Sequence, residues 1–392
     1  MDNMVMEDKK LKLDKSTWIP TKLGELATEI SKRVDNPSES EYDRFVSLRC
    51  FVSGDIKIKS WETTETLVSS AKAFEKGDIL FARRNAYLRR ASMADFDGCC
   101  SGDAFVLREN HEKVVPGFLA FLLNSDALWD YANSNAAGTM SKRVKWRDLA
   151  EYEFLLPPKD QQAKLAELLW AMDEVVEREN EIINKHYILK EVLRRDYFKI
   201  TKDSNTIKIG EIAELTAGGT PSTAKKKYWE NGTIPWLSSG EVHKKRVYQT
   251  DKLITDIGLN ESSAKMMPKN TCLIALAGQG KTKGTVAISE IELSTNQSVA
   301  AIVPNRDLIE PYYLYHNIDS RYLDFRHITG KHNSRTGLNL KILRDFEIVY
   351  HSKVERESIV TKFNQLDSNI DIIESKIQSS KALQKSLINQ VF

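Results

Sequence analysis

The chain has 392 residues, 41% of them hydrophobic and 29% charged, with a formal net charge of +2. These are ordinary values for a globular protein of two or three domains, and no apolar run approaches the roughly 18 residues that a membrane span requires. The start, MDNMVMEDKKLKLDK, has no apolar signal-peptide region, the four cysteines form no C-x-x-C pair, and the seven histidines fall in no metal-binding pattern. The expectation is a cytoplasmic protein with reduced, packed thiols and no metal site.

Residues 22–27 read KLGELA, and residues 76–82, KGDILFA, form a turn feeding an apolar strand. The first concentration of charge follows, where Arg83, Arg84, Arg89 and Arg90 surround Asn85 and Tyr87. A helical-looking GFLAFLLNS begins at Gly117, and Lys142, Arg143, Lys145, Trp146 and Arg147 again mix basic and aromatic side chains. One such cluster is often only a solvated loop, but several in loop-like segments point to a nucleic-acid footprint. After Pro157 and Pro158, apolar residues recur in steps of three and four at Leu165, Leu168, Leu169, Met172, Val175, Val176, Ile182, Ile183, Leu189 and Leu193. That spacing predicts one long amphipathic helix with a single apolar stripe.

The second half repeats the order. KIGEIA occupies 208–213, basic clusters follow at 225–227 (three lysines) and 244–246 (Lys244, Lys245 and Arg246), and KNTCLIA at 269–275 is another turn and strand. Next comes Ala275 to Thr282, ALAGQGKT, which resembles a phosphate-binding loop. Two features argue against that use: the first position is alanine, and KGTVAISEIEL at 283–293 reads as a strand where a helix should start. PYYLYHNID from Pro311 corresponds to GFLAFLLNS, and a final helix shows Ile359, Phe363, Leu366, Ile370, Ile373, Ile377, Leu383 and Leu387.

Residues 149–198 align with 343–392 at a constant offset of 194, with eight identities that include Asp173/Asp367 and Phe198/Phe392. The repeat places the glycine-rich loop opposite ARRNAYLRR at 82–90, so a nucleotide cradle would have been exchanged for an arginine loop. A loop that touches nucleic acid, with residues chosen separately in each copy, fits both versions. A helix of roughly 38 residues is about 57 Å long. Its stripe needs a partner, and the matching partner is its own repeat, paired antiparallel. The expected molecule is a pair of similar heads related by an approximate two-fold axis about a rigid spacer, a symmetry that matches duplex DNA.

The residues that carry a family resemblance are LTAGGTPSTAKKKYWENGTIPWLSSGEV (215–242), PKNTCLIALAG (268–278), STNQSVAAIVP (294–304), and LAEYEFLLPPKDQQAKLAELL with its downstream copy. Together they resemble the specificity subunit of a Type I restriction-modification enzyme, over essentially the whole chain. The first head departs from the pattern, with SGDAFVLRE (101–109) in place of STNQSVAAIVP, and the second helix lacks the Pro-Pro entry. The resemblance implies an α+β fold: two similar mixed α/β target-recognition domains (1–157 and 201–350) alternating with two long helices (158–200 and 351–392) that pair as an antiparallel coiled coil with pseudo-two-fold symmetry. It also implies a chain without chemistry of its own, each domain reading half of a bipartite, asymmetric DNA target in the major groove. Its partners would be two modification (DNA adenine methyltransferase) subunits using S-adenosylmethionine and restriction subunits using ATP and Mg²⁺, with no cofactor held by this chain.

On that reading the candidates for DNA contact in the first head are Arg83, Arg84, Asn85, Tyr87, Arg89 and Arg90, and in the second Ser238, Ser239, Lys244, Lys245, Gln279, Lys281 and Lys283. Arginine to guanine and Asn or Gln to adenine are the bidentate pairings with suitable geometry. The loops ahead of each helix, with Lys142 and Arg143 and with His332, Asn333 and Arg335, are expected to clamp phosphates. The competing classes are a self-contained P-loop ATPase or nuclease/methylase, and a coiled-coil scaffold with no DNA role. The nuclease-like Asp371, Glu374 and Lys376 fall within a helix and read as a solvated face.

Overall fold

The computed structural model describes residues 13–278, 280–328 and 337–392. They form two compact units, one made of residues up to Ile182 together with Ile373–Phe392, the other of Ile183–Ile372.

In the first unit, strand Ile19–Lys22 pairs antiparallel with Glu153–Leu156, tying the start of the head to its end. The one-turn helix Leu23–Leu26 comes next, its first free N–H, that of Lys22, bonded to the Glu25 carboxylate at 3.2 Å. This is the capping use of a glutamate three residues into a helix. Gly24 is required by packing, because a Cβ there would lie 2.9 Å from the Ala150 Cβ and 3.2 Å from its carbonyl oxygen. The main antiparallel sheet runs in the order Ala27–Ile30, Ala104–Glu109, Ile79–Ala82, Ala91–Met93. All four residues of Ile79–Ala82 are buried, which explains its unbroken apolar sequence. In a second sheet Arg44–Val46 runs parallel to Gly98–Cys100.

The second unit is built by the same plan. Thr206–Lys208 pairs with Glu347–Val349, the one-turn helix Ile209–Ile212 takes its cap from Glu211, and Gly210 packs against Arg344. Its main sheet runs Ala213–Ala217, Val299–Pro304, Cys272–Ala275, Val286–Ser289, extended by Arg246–Val247. Ile234–Leu237 lies parallel to Ser294–Thr295, as Arg44–Val46 does to Gly98–Cys100. The duplication seen as spacing in the sequence is therefore a duplication of strand order and direction.

The long helices are Lys159–Phe198 and Lys353–Val391, and the division into compact units falls in the middle of each. In the first unit Leu165, Ala166 and Leu169, near the start of one helix, share a core with Leu387, Ile388 and Val391, near the end of the other. In the second unit Phe198, at the end of the first helix, stacks on Phe363 near the start of the second, with centroids 6.1 Å apart. Within each unit the helices are thus antiparallel neighbours.

The predicted single stripe needs correction. Leu165, Leu169, Val176 and Ile183 are buried, but Leu168, Val175, Ile182 and Leu189 are 43–48% exposed. The apolar arc is wider than one helix pair covers, and residues adjacent in sequence to buried ones lie about 100° around the axis. Polar side chains fill part of the seam instead, with Lys190 bonded to Asp367 and Gln384 beside Asp173, while the buried Gln162 and Arg194 bond to the heads.

Candidate nucleic-acid interface

The glycine-rich loop of the second unit connects the antiparallel strands Cys272–Ala275 and Val286–Ser289. It is a hairpin connection, whereas a phosphate cradle runs from a strand into a helix. Its glycines answer a backbone need, since Gly278, Gly280 and Gly284 all have positive φ (145°, 59° and 83°). The loop 83–90 occupies the same slot in the first unit, between Ile79–Ala82 and Ala91–Met93. There Asn85 and Arg89 take left-handed conformations at either end of the 3-10 turn Ala86–Leu88.

The first unit gathers two basic clusters that are far apart in sequence. Asn85 N–H donates to the Lys142 carbonyl at 2.9 Å and Val144 N–H to the Arg83 carbonyl at 2.9 Å, which zips 83–85 to 142–144. Between them sits Asp103, whose carboxylate accepts from Arg143 Nε at 2.8 Å and Nη2 at 3.3 Å, with Arg84 Nη1 at 3.6 Å. The Arg143 hydrogen bonds hold this carboxyl below the usual carboxylate range, with Arg84 and Arg83 adding to the effect against the opposing pull of burial. Arg84 also donates to Ser141 Oγ. Arg89 is bonded to Asp126 and Asp130, and Arg90 to the carbonyls of Leu48 and Arg84. Arg83 lies over the Phe105 ring with no carboxylate at ion-pair distance among the described residues. Tyr87, 66% exposed, and Lys142 face solvent.

In the second unit the predicted residues divide differently. Ser238 caps the 3-10 segment Ser239–Lys244 through Glu241, whose buried carboxylate takes Ser238 N–H at 2.9 Å and Lys244 Nζ at 2.9 Å. Burial works to raise that carboxyl, but the N–H groups of Ser238 and Asp251 and the ammonium of Lys244 bring it below its ordinary value. Lys244 also pairs with Asp251, and Lys245 with Asp319 at 2.7 Å. Ser238, Lys244 and Lys245 are thus occupied in shaping the head, and Ser239 opens the 3-10 segment. Lys281 and Lys283 have no carboxylate partner among the described residues, and Lys281 is exposed. Gln279, His332, Asn333 and Arg335 lie outside the described residues.

Sequence reasoning missed the carboxylates. Asp103, Asp126, Asp319 and Glu241 decide which cations are free, and Asp126 and Asp319 each also hold a cation from a long helix, Lys385 at 3.2 Å and Arg194 at 3.1 Å. The departure of SGDAFVLRE from STNQSVAAIVP was the one signal, since strand pairing sets Asp103 where the second unit has Ser298. Among the described residues no His/Cys/Asp/Glu group could hold a metal ion, and no helix is long and apolar enough to cross a membrane.

Known proteins share this architecture. The specificity subunit of the Type I restriction enzyme MjaIX of Methanocaldococcus jannaschii is 32% identical over 195 residues, 48% of this chain and 43% of that one. The EcoR124I/EcoR124II specificity subunit of Escherichia coli is 30% identical over 162 residues, 41% of this chain and 40% of that one. The matched segments therefore span less than half of the length of these two curated relatives. The S subunit of a Type I restriction-modification system from M. genitalium shares the fold over 98% of both chains, with a TM-score of 0.62 at 17% identity. A chain from a type I R-M system solved for its assembly and conformational transition does so over 96% of this chain and 97% of that one, with a TM-score of 0.59 at 21% identity. The family model described as the Type I restriction modification DNA specificity domain matches twice, at 15–185 and 201–380, once for each copy of the repeated head, and the chain belongs to that family.

Proposed function

We propose that this chain is the sequence-reading subunit of a Type I restriction-modification system, and that each head reads one half of a bipartite, asymmetric DNA target through the major groove. The observation that carries the proposal is the repeated head, with a cation-bearing hairpin loop in the same slot of each copy. Affinity comes from lysine and arginine on phosphates, and choice of sequence from side chains on base edges. The reading assigns this work to Arg83, Tyr87, Lys142 and Arg143 in the first unit and to Lys281 and Lys283 in the second. The chain carries no chemistry of its own. S-adenosylmethionine, ATP and Mg²⁺ belong to modification and restriction subunits that assemble with it in the cytoplasm.

The long helices set the gap between half-sites and carry the modification subunits. Support for the second role is apolar surface left uncovered by the helix pair: Leu168, Val175 and Ile182 in the first unit, and Ile188, Leu189 and Val192 in the second, are 36–64% exposed. A methylation motif map of the chain assembled with modification subunits tests the reading. A bipartite motif is the expected result. Removing seven residues between Glu174 and Lys190 should keep both half-sites and change only the gap, whereas altered half-sites would refute the spacer role.

A further inference from the structure

The arginines around the first recognition loop differ in which edge of the guanidinium is already committed. A guanidinium offers a side edge, Nε with Nη2, and an end fork, Nη1 with Nη2; the fork is what reaches the O6 and N7 acceptors of guanine in the major groove. Arg89 has both end nitrogens on carboxylates, Nη1 on Asp126 and Nη2 on Asp130. Arg90 has both on carbonyls, Nη1 on Leu48 and Nη2 on Arg84. Arg84 places Nη1 beside Asp103 and Nη2 on Ser141 Oγ. Arg83, over the Phe105 ring, has no carboxylate among the described residues to aim it, whereas on Arg143 Asp103 takes the side edge, Nε at 2.8 Å and Nη2 at 3.3 Å, and leaves Nη1 and the outer hydrogen of Nη2 uncommitted.

The backbone under Arg143 is also held. Its N–H donates to the Ala137 carbonyl at 2.9 Å, its carbonyl accepts from Ala137 N–H at 3.1 Å, and the adjacent Val144 is buried. The Arg143 side chain is itself 42% exposed, and its chain neighbours Met140 and Lys142 are exposed as well, so the guanidinium is open to solvent beyond its Asp103 edge. A neighbouring lysine serves a phosphate as a point charge, whereas a planar fork fixed by a carboxylate suits one acceptor pair in one place.

We infer that Arg143 is a base-reading residue of the first unit, specific for a guanine in its half-site, and that Asp103 is the positioning residue that aims it. The inference rests on the proposed DNA-reading function and goes beyond it, because the sequence alone had assigned Arg143 to the phosphate backbone. Ser298, in the slot of Asp103, offers the second unit no such carboxylate.

The test is selection of binding sites from a randomised duplex library by the full chain assembled with modification subunits, for wild type, Arg143→Lys and Asp103→Asn. Arg143→Lys keeps the charge and loses the fork. The expected result is that both variants lose about tenfold or more of the preference for guanine at one position of one half-site. The other half-site and the melting temperature of Arg143→Lys should stay unchanged. Equal weakening on all sequences would make Arg143 a phosphate contact and overturn the inference, as would an unaltered motif. An intact second half-site in Asp103→Asn separates lost aim from lost folding, and if Asp103→Asn fails to fold, Arg143→Lys decides alone. Should the wild type select no motif at all, the functional reading itself fails and takes this inference with it.

Discussion

The two hairpin loops, 83–90 and 276–285, fill the same slot in equivalent sheets and are both cationic, but their cations are in different states. In the first, three of four arginines are bound to carboxylates or carbonyls of their own unit, and the loop is shaped by those bonds. In the second, glycines at positive φ shape the backbone, and Lys281 and Lys283 are left without carboxylate partners among the described residues. The difference teaches that a count of cations in a loop does not measure its capacity for DNA. A cation already paired contributes to the loop's form, and only an unpaired one is free to displace counterions from phosphates.

The contrast extends to the anchors of each head, where the largest effect is expected. Asp173 and Asp367 are identical residues at the repeat offset, and both are buried in the long helices. Asp367 joins Lys190 of the other helix to Arg246 of the head, the latter at 2.9 Å. Asp173 has Lys57 at 3.4 Å, but Lys57 also holds Glu177 at 2.8 Å. Asp367→Ala strands the largely buried Lys190 and leaves Arg246 only Glu290 at 3.8 Å and the Asn364 amide oxygen at 3.2 Å, so it should cost roughly 3 kcal/mol, the lower end of the usual range for breaking a buried pair. Asp173→Ala leaves Lys57 a partner and removes a carboxylate whose acidity burial weakens, so about 1 kcal/mol is expected. Chemical denaturation of the two variants should show this order; equal losses would mean the anchors are equivalent.

Between the loops themselves, Lys281→Ala with Lys283→Ala should weaken DNA binding by about tenfold or more and flatten the slope of log K against log salt by up to about 1.8. The same change should relax only the half-site read by the second head. Binding titrations across a salt series check the slope, and a changed first half-site would refute the assignment of these lysines.

Much of the fold was legible because its determinants are local. KLGELA and KIGEIA recur because a one-turn helix needs a capping glutamate and a glycine where the segment ahead of the long helix, at Ala150 or Arg344, crosses it at contact distance. The long helices were legible from apolar steps and the absence of interior Pro and Gly. Which part of the stripe is buried was not, since that depends on the width of the partner helix. The state of the loop cations was not legible either. Arg143 finds Asp103 across 40 residues and Arg89 finds Asp126 across 37, pairings that only the folded sheet creates.

A third contrast lies in the core. His316 is fully buried against the Phe363 ring, and neither ring nitrogen has a hydrogen-bond partner; the repeat places Leu122 at that position in the first unit. Burial, reinforced by Arg194, Lys190 and Arg246, holds the imidazole well below its ordinary pKa, so it is neutral in the folded chain. A base whose folded pKa is depressed binds its proton preferentially when unfolded. Stability is therefore complete above about pH 6.5 and falls below it, by up to about 1.4 kcal/mol per pH unit. His316→Leu should remove this acid-dependent loss from the second unit and leave the melting of the first unchanged. Persistence of the full pH slope in that variant would assign the acid sensitivity to other groups.

The smallest effect is the most direct test of the opening contrast. Arg89 belongs to the first loop, yet both of its end nitrogens are spent on Asp126 and Asp130, and its side chain is 34% exposed. If Arg89 acts only within the head, Arg89→Ala removes two partly exposed ion pairs. Asp126 keeps Lys385 at 3.2 Å and the Asn389 amide at 2.7 Å, so the loss of stability should stay within about 1 kcal/mol. The salt slope of DNA binding should then match that of the wild type. If Arg89 leaves its carboxylates for a phosphate on binding, the slope should flatten by about 0.9. The two loops would then differ in when their cations become available, with the first giving up two ion pairs before it can hold DNA.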